Sequence, residues 1–164
     1  MELGVDIFST EVGMALKVMN IYAPYQERMG FWDSLLGQSF MTEQNLVMGG
    51  DLNFSIGLSK ISGPRAYLNP LLDYLSHKME EIGLYDIGLV KNNPTWRNKR
   101  NGEAIISRRI NFFLIVDSLI EHIPLFRQWI GRGGESDHHL IFLELKGDYT
   151  TLEIPFKFNS SWLK

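Results

Sequence analysis

Apolar residues fall in short runs separated by polar, Gly- or Pro-bearing breaks, and each run predicts an element. Leu3 to Phe8 and the mostly apolar run Gly13 to Tyr22 read as two strands joined across a Ser9–Gly13 turn, the second stopped by Ala23-Pro24. From Gln26 to Phe40, Met29, Phe31, Trp32, Leu35, Leu36 and Phe40 recur at helical spacing and predict an amphipathic helix. Leu46-Val47-Met48 predicts a buried strand ended by Gly49-Gly50. After a loop over Gly57–Pro64, Leu68 to Ile82 predicts a second helix with Gly83 as its C-terminal cap. Thr95–Asn98 and Ile105–Val116 predict a hairpin about the Lys99-Arg100-Asn101-Gly102 turn. Pro124–Ile130 fits a strand or a connector, and His139–Leu145 a final strand before a departing tail. Strands that are both hairpin-linked and helix-separated predict a mixed α/β sandwich.

Composition narrows the class. The chain has 164 residues, 45% apolar and 21% charged, with no cysteine, which excludes a disordered chain, a disulfide framework and thiolate chemistry. No apolar run reaches the roughly 18–20 residues that span a bilayer, and the acidic Met1–Asp6 start lacks the pattern of a secretory signal. An intracellular protein, nuclear or cytoplasmic and not membrane-bound, is expected. The net charge of −3 conceals an asymmetry: Lys91 to Arg109 holds six basic residues and one acidic, Glu103. Arg97, Lys99 and Arg100 with Trp96 fit a hairpin that contacts phosphates, or a solvated basic turn.

Polar residues converge at the mouths of apolar strands. In Gly50-Asp51-Leu52-Asn53, strand alternation puts Asp51 and Asn53 on one face, where a carboxylate and an amide suit a water or a phosphate oxygen; an Asx turn is the plain alternative. Asp137 beside His138 suits an oriented imidazole, or simply a polar strand entrance. His139 points the opposite way. Tyr22, after Asn20 and before Pro24, can aim a phenol at an anion or sit in water. Arg109 and Asn111 lie inside an apolar strand and need partners if buried. P-loop and zincin patterns are absent, and Gly131-Arg132-Gly133-Gly134 lacks the flanking elements of a dinucleotide site.

In order, Asn20–Pro24, Gly50–Asn53, Thr95-Trp96, Arg109–Asn111 and Ser136–His138 form a series that resembles the endonuclease/exonuclease/phosphatase (DNase I-like) superfamily. Phe31-Trp32, Val47–Asn53 and Ser136–Ile141 look like endonuclease domains of plant LINE-type non-LTR retrotransposons, and Pro155–Phe158 with Trp162-Leu163 like the segment leading to a reverse transcriptase. The resemblance implies a four-layer α/β sandwich over residues 1–146, missing its first part, and a tail over 147–164. It implies Mg²⁺-dependent hydrolysis of a phosphodiester (Mn²⁺ as a substitute), with DNA as partner and an ancestral fusion to a reverse transcriptase.

On the matching positions, His138 would act on the scissile phosphate, Asp51 would activate water, and Asn53 would hold it. Tyr22 and Asn20 would contact phosphate, Asp137 would lie by the metal, and Trp96, Arg97, Lys99 and Arg100 would lie along DNA. The superfamily's Arg-Ile-Asp is Arg109-Ile110-Asn111 here, and its early Asn and metal-ligating Glu have no counterpart, since neither Glu2 nor Glu11 stands in a matching context. Impaired cleavage is therefore expected. The alternatives are a non-catalytic nucleic-acid-binding remnant and a phosphoesterase acting on a small phosphate or phosphoinositide.

Overall fold

The long apolar run after Ser9 becomes the inner partner of an antiparallel pair: β1 (Glu2–Ser9) and β2 (Met14–Tyr22) run in unbroken register from Glu2↔Ile21 to Ser9↔Met14. The computed structural model describes residues 1–56, 61–62, 70–91, 93–100, 105–132 and 135–147. The Gly57–Pro64 loop (apart from 61–62), the first residues of the second predicted helix, the tip of the basic hairpin, Gly133-Gly134 and the tail from 148 onward lie outside them.

Along the chain, β2 is followed by α1 (Arg28–Leu36), a 3-10 turn at Ser39–Thr42, β3 (Leu46–Asp51), β4 (Ile61–Ser62) and α2 (Pro70–Glu81). Then come β5 (Leu84–Asp86), β6 (Trp96–Arg97), β7 (Ser107–Arg108), β8 (Asn111–Val116), α3 (Asp117–His122), β9 (Leu125–Ile130) and β10 (Ile141–Lys146). The central sheet has the order β1-β2-β3-β8-β5, with β2 and β3 parallel and the other pairs antiparallel. A small sheet β4-β7-β6 and the β9–β10 ribbon complete the strands described.

The core lies on the central strands. Leu46, Met48, Phe112 and Leu114 are fully buried, and helix α1 reaches them through Trp32, Phe54 and Phe112, whose rings meet edge to face at 5.2 and 5.3 Å. On the far side Gln128 of β9 is fully buried: its Oε1 accepts the Phe113 N–H (2.7 Å) and its Nε2 donates to the Ile87 carbonyl (2.7 Å). One amide thus ties the ribbon to the sheet, pairing the Phe113 N–H and sharing the Ile87 carbonyl with the Arg109 guanidinium.

Several expectations need correction. Gly49 and Gly50 do not end the third strand; they lie within it. Any side chain at Gly49 would strike the Phe113 ring, and Gly50 holds φ 132 with the Ile21 carbonyl 2.2 Å from where a Cβ would stand. The glycines serve close approach between strands, not a stop. The first helix is shorter than Gln26–Phe40, because the chain tightens into the separate 3-10 turn after Gly37. Ile105–Val116 is two strands in different sheets, since Arg109 turns inward and Thr95 captures the amides between them. The last strand starts at Ile141, because His139 bonds to Thr95 instead. Pro124–Ile130 resolves as strand β9. Gly83 caps α2 with φ 64, as its position predicts.

Candidate active site

The register of the central sheet puts three polar residues side by side. Tyr22 ends β2 opposite Asp51, which ends β3 opposite Asn111, the first residue of β8. Cross-strand partners share a face, so phenol, carboxylate and carboxamide stand in one row at the sheet's mouth. Tyr22 is 62% exposed; Asp51 and Asn111 are half-buried.

The loop before β10 closes over this row. His138 Nδ1 lies 3.0 Å from Asn111 Oδ1 and 3.9 Å from Asp51 Oδ2. Asn111 therefore holds the imidazole where the resemblance places a carboxylate. With Nδ1–H donated to the amide oxygen, Nε2 is left for other chemistry. The loop itself is fastened to β6: the Arg97 N–H donates to the Asp137 carbonyl (3.1 Å), the His139 N–H to the Thr95 carbonyl (2.8 Å), and Trp96 bridges His138.

Thr95 is the pin beneath. It is fully buried, and its Oγ1 accepts the N–H groups of Ile110 (3.0 Å) and Asn111 (2.9 Å). Its own N–H donates to the Arg108 carbonyl (3.0 Å). One residue so fixes Asn111 on one side and the His138 loop on the other. Thr95 belongs to the Thr-Trp pair read from the sequence, but its role there was invisible, because both partners are distant in the chain.

Asn53 is not on the strand face predicted for it. β3 ends at Asp51, and Asn53 adopts φ 53, with its N–H on Asp51 Oδ1 (3.2 Å) and its side-chain amide on the Ala23 carbonyl. This Asx turn holds the Asp51 carboxylate in place. Burial pushes the Asp51 carboxyl above its ordinary pKa, against the opposing pull of His138 and the Asn53 N–H. Asp137 moves the other way: its Oδ2 accepts the Trp96 indole N–H (3.0 Å), which holds its pKa down, helped by His138 and Lys99. Neighbouring carboxyls of opposite tendency suit one as proton acceptor and the other as a fixed anion.

Asn20 is exposed on β2, its Oδ1 close against Gly50. Arg97, Lys99 and Arg100 line an open cleft of 490 Å³ with Ser136, Asp137 and His139, adjoining the His138 loop. Arg109 is not part of this surface. It is buried, with both terminal nitrogens on the Asp86 carboxylate (2.5 and 2.6 Å) and one on the Ile87 carbonyl. Asp86, the partner it needs, carries no sequence signal.

The donor set fits a cation poorly. Among the described residues no three His, Asp or Glu side chains converge as a metal group. The Asp51 and Asp137 carboxylates accept protein hydrogen bonds at Oδ1 and Oδ2 respectively, and two carboxylates alone leave most of the near-octahedral oxygen shell of Mg²⁺ to water and phosphate. No helix among the described residues is long and apolar enough to cross a membrane.

No protein-family profile matches the chain, and no curated protein does. Solved structures do. The endonuclease domain of TRAS1, a telomere-specific non-LTR retrotransposon, superposes with a TM-score of 0.68 at 14% identity, over 90% of this chain and 63% of that one. The 3'-5' exonuclease NExo from Neisseria meningitidis matches with a TM-score of 0.59 at 13% identity, over 87% and 64%. The 3' phosphatase NExo from Neisseria, bound to a product DNA hairpin, matches at 0.61 and 14%, over the same shares. The chain thus spans less than two thirds of the length of these structures. At such identity the likeness speaks for the fold, and the chain has the mixed α/β fold of DNase I-like nucleases.

Proposed function

We propose that this chain is a phosphodiester-hydrolysing module that acts on DNA. The observation that carries the reading is the cluster in which His138, held by Asn111, closes over Asp51 and Tyr22 beside a basic cleft. Asp51, with its raised pKa, takes a proton from the attacking water. His138, with Nδ1–H held by Asn111 and a second proton on Nε2, gives the Nε2 proton to the leaving oxygen as its P–O bond breaks, and Tyr22 donates its hydroxyl to a phosphate oxygen. Asn53 keeps the Asp51 carboxylate oriented through its N–H. The cleft residues Arg97, Lys99 and Arg100 neutralise backbone phosphates without reading bases.

The resemblance adds Mg²⁺ or Mn²⁺, which when bound would offset charge developing on the phosphate. Asp137 and Asp51 are the carboxylates on hand, and they fall short of a complete site, so no step above runs through the ion. The DNA hairpin bound by the Neisseria phosphatase and the retrotransposon origin of the TRAS1 domain support DNA as substrate. The test is cleavage of supercoiled plasmid and of a labelled duplex with Mg²⁺, with Mn²⁺ and with chelator. Loss of cleavage in Asp51→Ala and His138→Ala supports the proposal; turnover of inositol phosphates with no action on DNA overturns it.

A second reading, DNA binding without cleavage, is favoured by Asn111, since an amide cannot stabilise an imidazolium by charge. Salt-dependent binding that weakens on reversal of Arg97, Lys99 and Arg100, with no cleavage under any metal, selects it.

A further inference from the structure

Helix α1 starts against the preferences of its own sequence. Its N-cap, Glu27, makes no side-chain capping bond and holds φ 52 and ψ 34, a left-handed conformation that non-glycine residues rarely adopt. Its first residue is Arg28, a cation at the end where the macrodipole disfavours one, and the first turn holds no acidic residue to offset it. What this start achieves is a contact: Arg28 Nη1 donates to the Asn53 carbonyl at 2.6 Å, 25 positions along the chain. Glu27 and Asn53, at φ 52 and 53, are the two non-glycine residues with positive φ among those described, and this bond links their two turns. Such backbone persists where surrounding contacts hold it.

We propose that Arg28 is a positioning residue for the Asp51 carboxylate, an inference that rests on the hydrolytic role given to Asp51 above. The Asn53 N–H fixes Asp51 Oδ1 (3.2 Å), its side-chain amide donates to the Ala23 carbonyl, and its own carbonyl is held by Arg28. Asn53 therefore ties the ends of β2 and β3 together with its donors, and ties both to α1 with its acceptor. Without Arg28 the peptide after Asn53 is free to rotate, and the left-handed turn relaxes toward ordinary φ and ψ. That rotation takes the Asn53 N–H off Oδ1, and Oδ2 loses its setting 3.9 Å from His138 Nδ1. The helix itself does not depend on this bond for its place. One turn on and on the same face, Trp32 is fully buried and meets the Phe54 ring edge to face, centroids 5.2 Å apart. Apolar packing docks α1 on the residue after Asn53; the guanidinium sets Asn53.

Arg28→Met keeps the apolar stem and removes the donor, and its circular dichroism should be native. Its Asn53 amide should exchange about tenfold faster than in wild type, with the Phe112 and Leu114 amides unchanged. Misplacing a reacting group by about 1 Å can cost ~100-fold, so kcat for plasmid cleavage should fall about 10- to 100-fold, with KM constant within about twofold. Arg28→Lys keeps a donor for a single carbonyl oxygen and should recover most of the loss in both measurements. The salt dependence of DNA binding should be the same in Arg28→Met as in wild type, whereas loss of a phosphate contact would lower its slope by about one. Exchange at Asn53 reads the turn whether or not DNA is cleaved. A wild type without cleavage thus overturns the hydrolytic reading, and the hold of Arg28 on the turn is then decided by exchange alone. Unchanged exchange at Asn53, an intact kcat in a cleaving protein, a raised KM with a shallower salt slope, or an Arg28→Met chain that does not fold overturns the positioning role.

Discussion

Thr95→Val tests whether one buried hydroxyl organises the site. The two side chains are nearly the same size, so the change removes an acceptor and little volume. It strands the amides of Ile110 and Asn111, now 3.0 and 2.9 Å from Oγ1. A buried donor left without a partner costs about 1–3 kcal/mol. The Ile110 amide is buried and Asn111 is half-buried, so a total loss of about 2–4 kcal/mol is expected. That is a large share of the ~5–15 kcal/mol stability of an ordinary domain. Thr95→Ser keeps the acceptor and removes only a methyl, at about 0.8 kcal/mol. Urea unfolding of the three proteins, with slopes compared, gives the stabilities. Hydrogen exchange should show faster exchange at Ile110 and Asn111 in the valine variant alone. A valine variant as stable as the serine variant would refute the reasoning, since packing and not the hydroxyl would then hold the strand break.

Asp51→Asn should abolish cleavage and yet stabilise the fold at neutral pH. The native carboxyl has a raised pKa, so its ionised form is disfavoured by folding; its contribution is best below the ordinary carboxylate range and falls as pH rises through the native value. The difference between wild type and variant should therefore vanish in acid, which unfolding curves across pH will show. In the same experiment Asp137, with its lowered pKa, favours folding above the ordinary carboxylate range, and Asp137→Asn should lose that benefit. Asn111→Asp supplies a charged partner for His138; a gain of about 1.5 kcal/mol in holding the imidazolium corresponds to roughly tenfold in plasmid cleavage. A histidine titration by NMR should show the charged form favoured in that variant. Asp86→Asn leaves the buried Arg109 guanidinium without its charge partner and should cost about 3–5 kcal/mol. Thermal unfolding should find the Asp86→Asn, Arg109→Met double variant more stable than Asp86→Asn alone.

Local pattern determined the elements whose cause is local. The apolar runs of β1 and β2 with the short turn between them, the helical spacing of α2 with Gly83 behind it, and the polar residues at strand mouths all follow from nearest-neighbour chemistry. The identity and order of the motif residues also point to a DNase I-like fold. What the pattern could not contain was who stands beside whom. Gly49 and Gly50 read as a strand end, because the Phe113 ring and the Ile21 carbonyl that require them come from other strands. The break at Arg109–Ile110 depends on Asp86 and Thr95, both non-adjacent in sequence. Asp51 and Asn53 looked like one strand face, but the strand ends between them and the second residue became the turn that holds the first. The row of Tyr22, Asp51 and Asn111 exists only because β2, β3 and β8 are neighbours in one register. Strand pairing joins residues far apart in the chain, so that arrangement belongs to the tertiary structure alone.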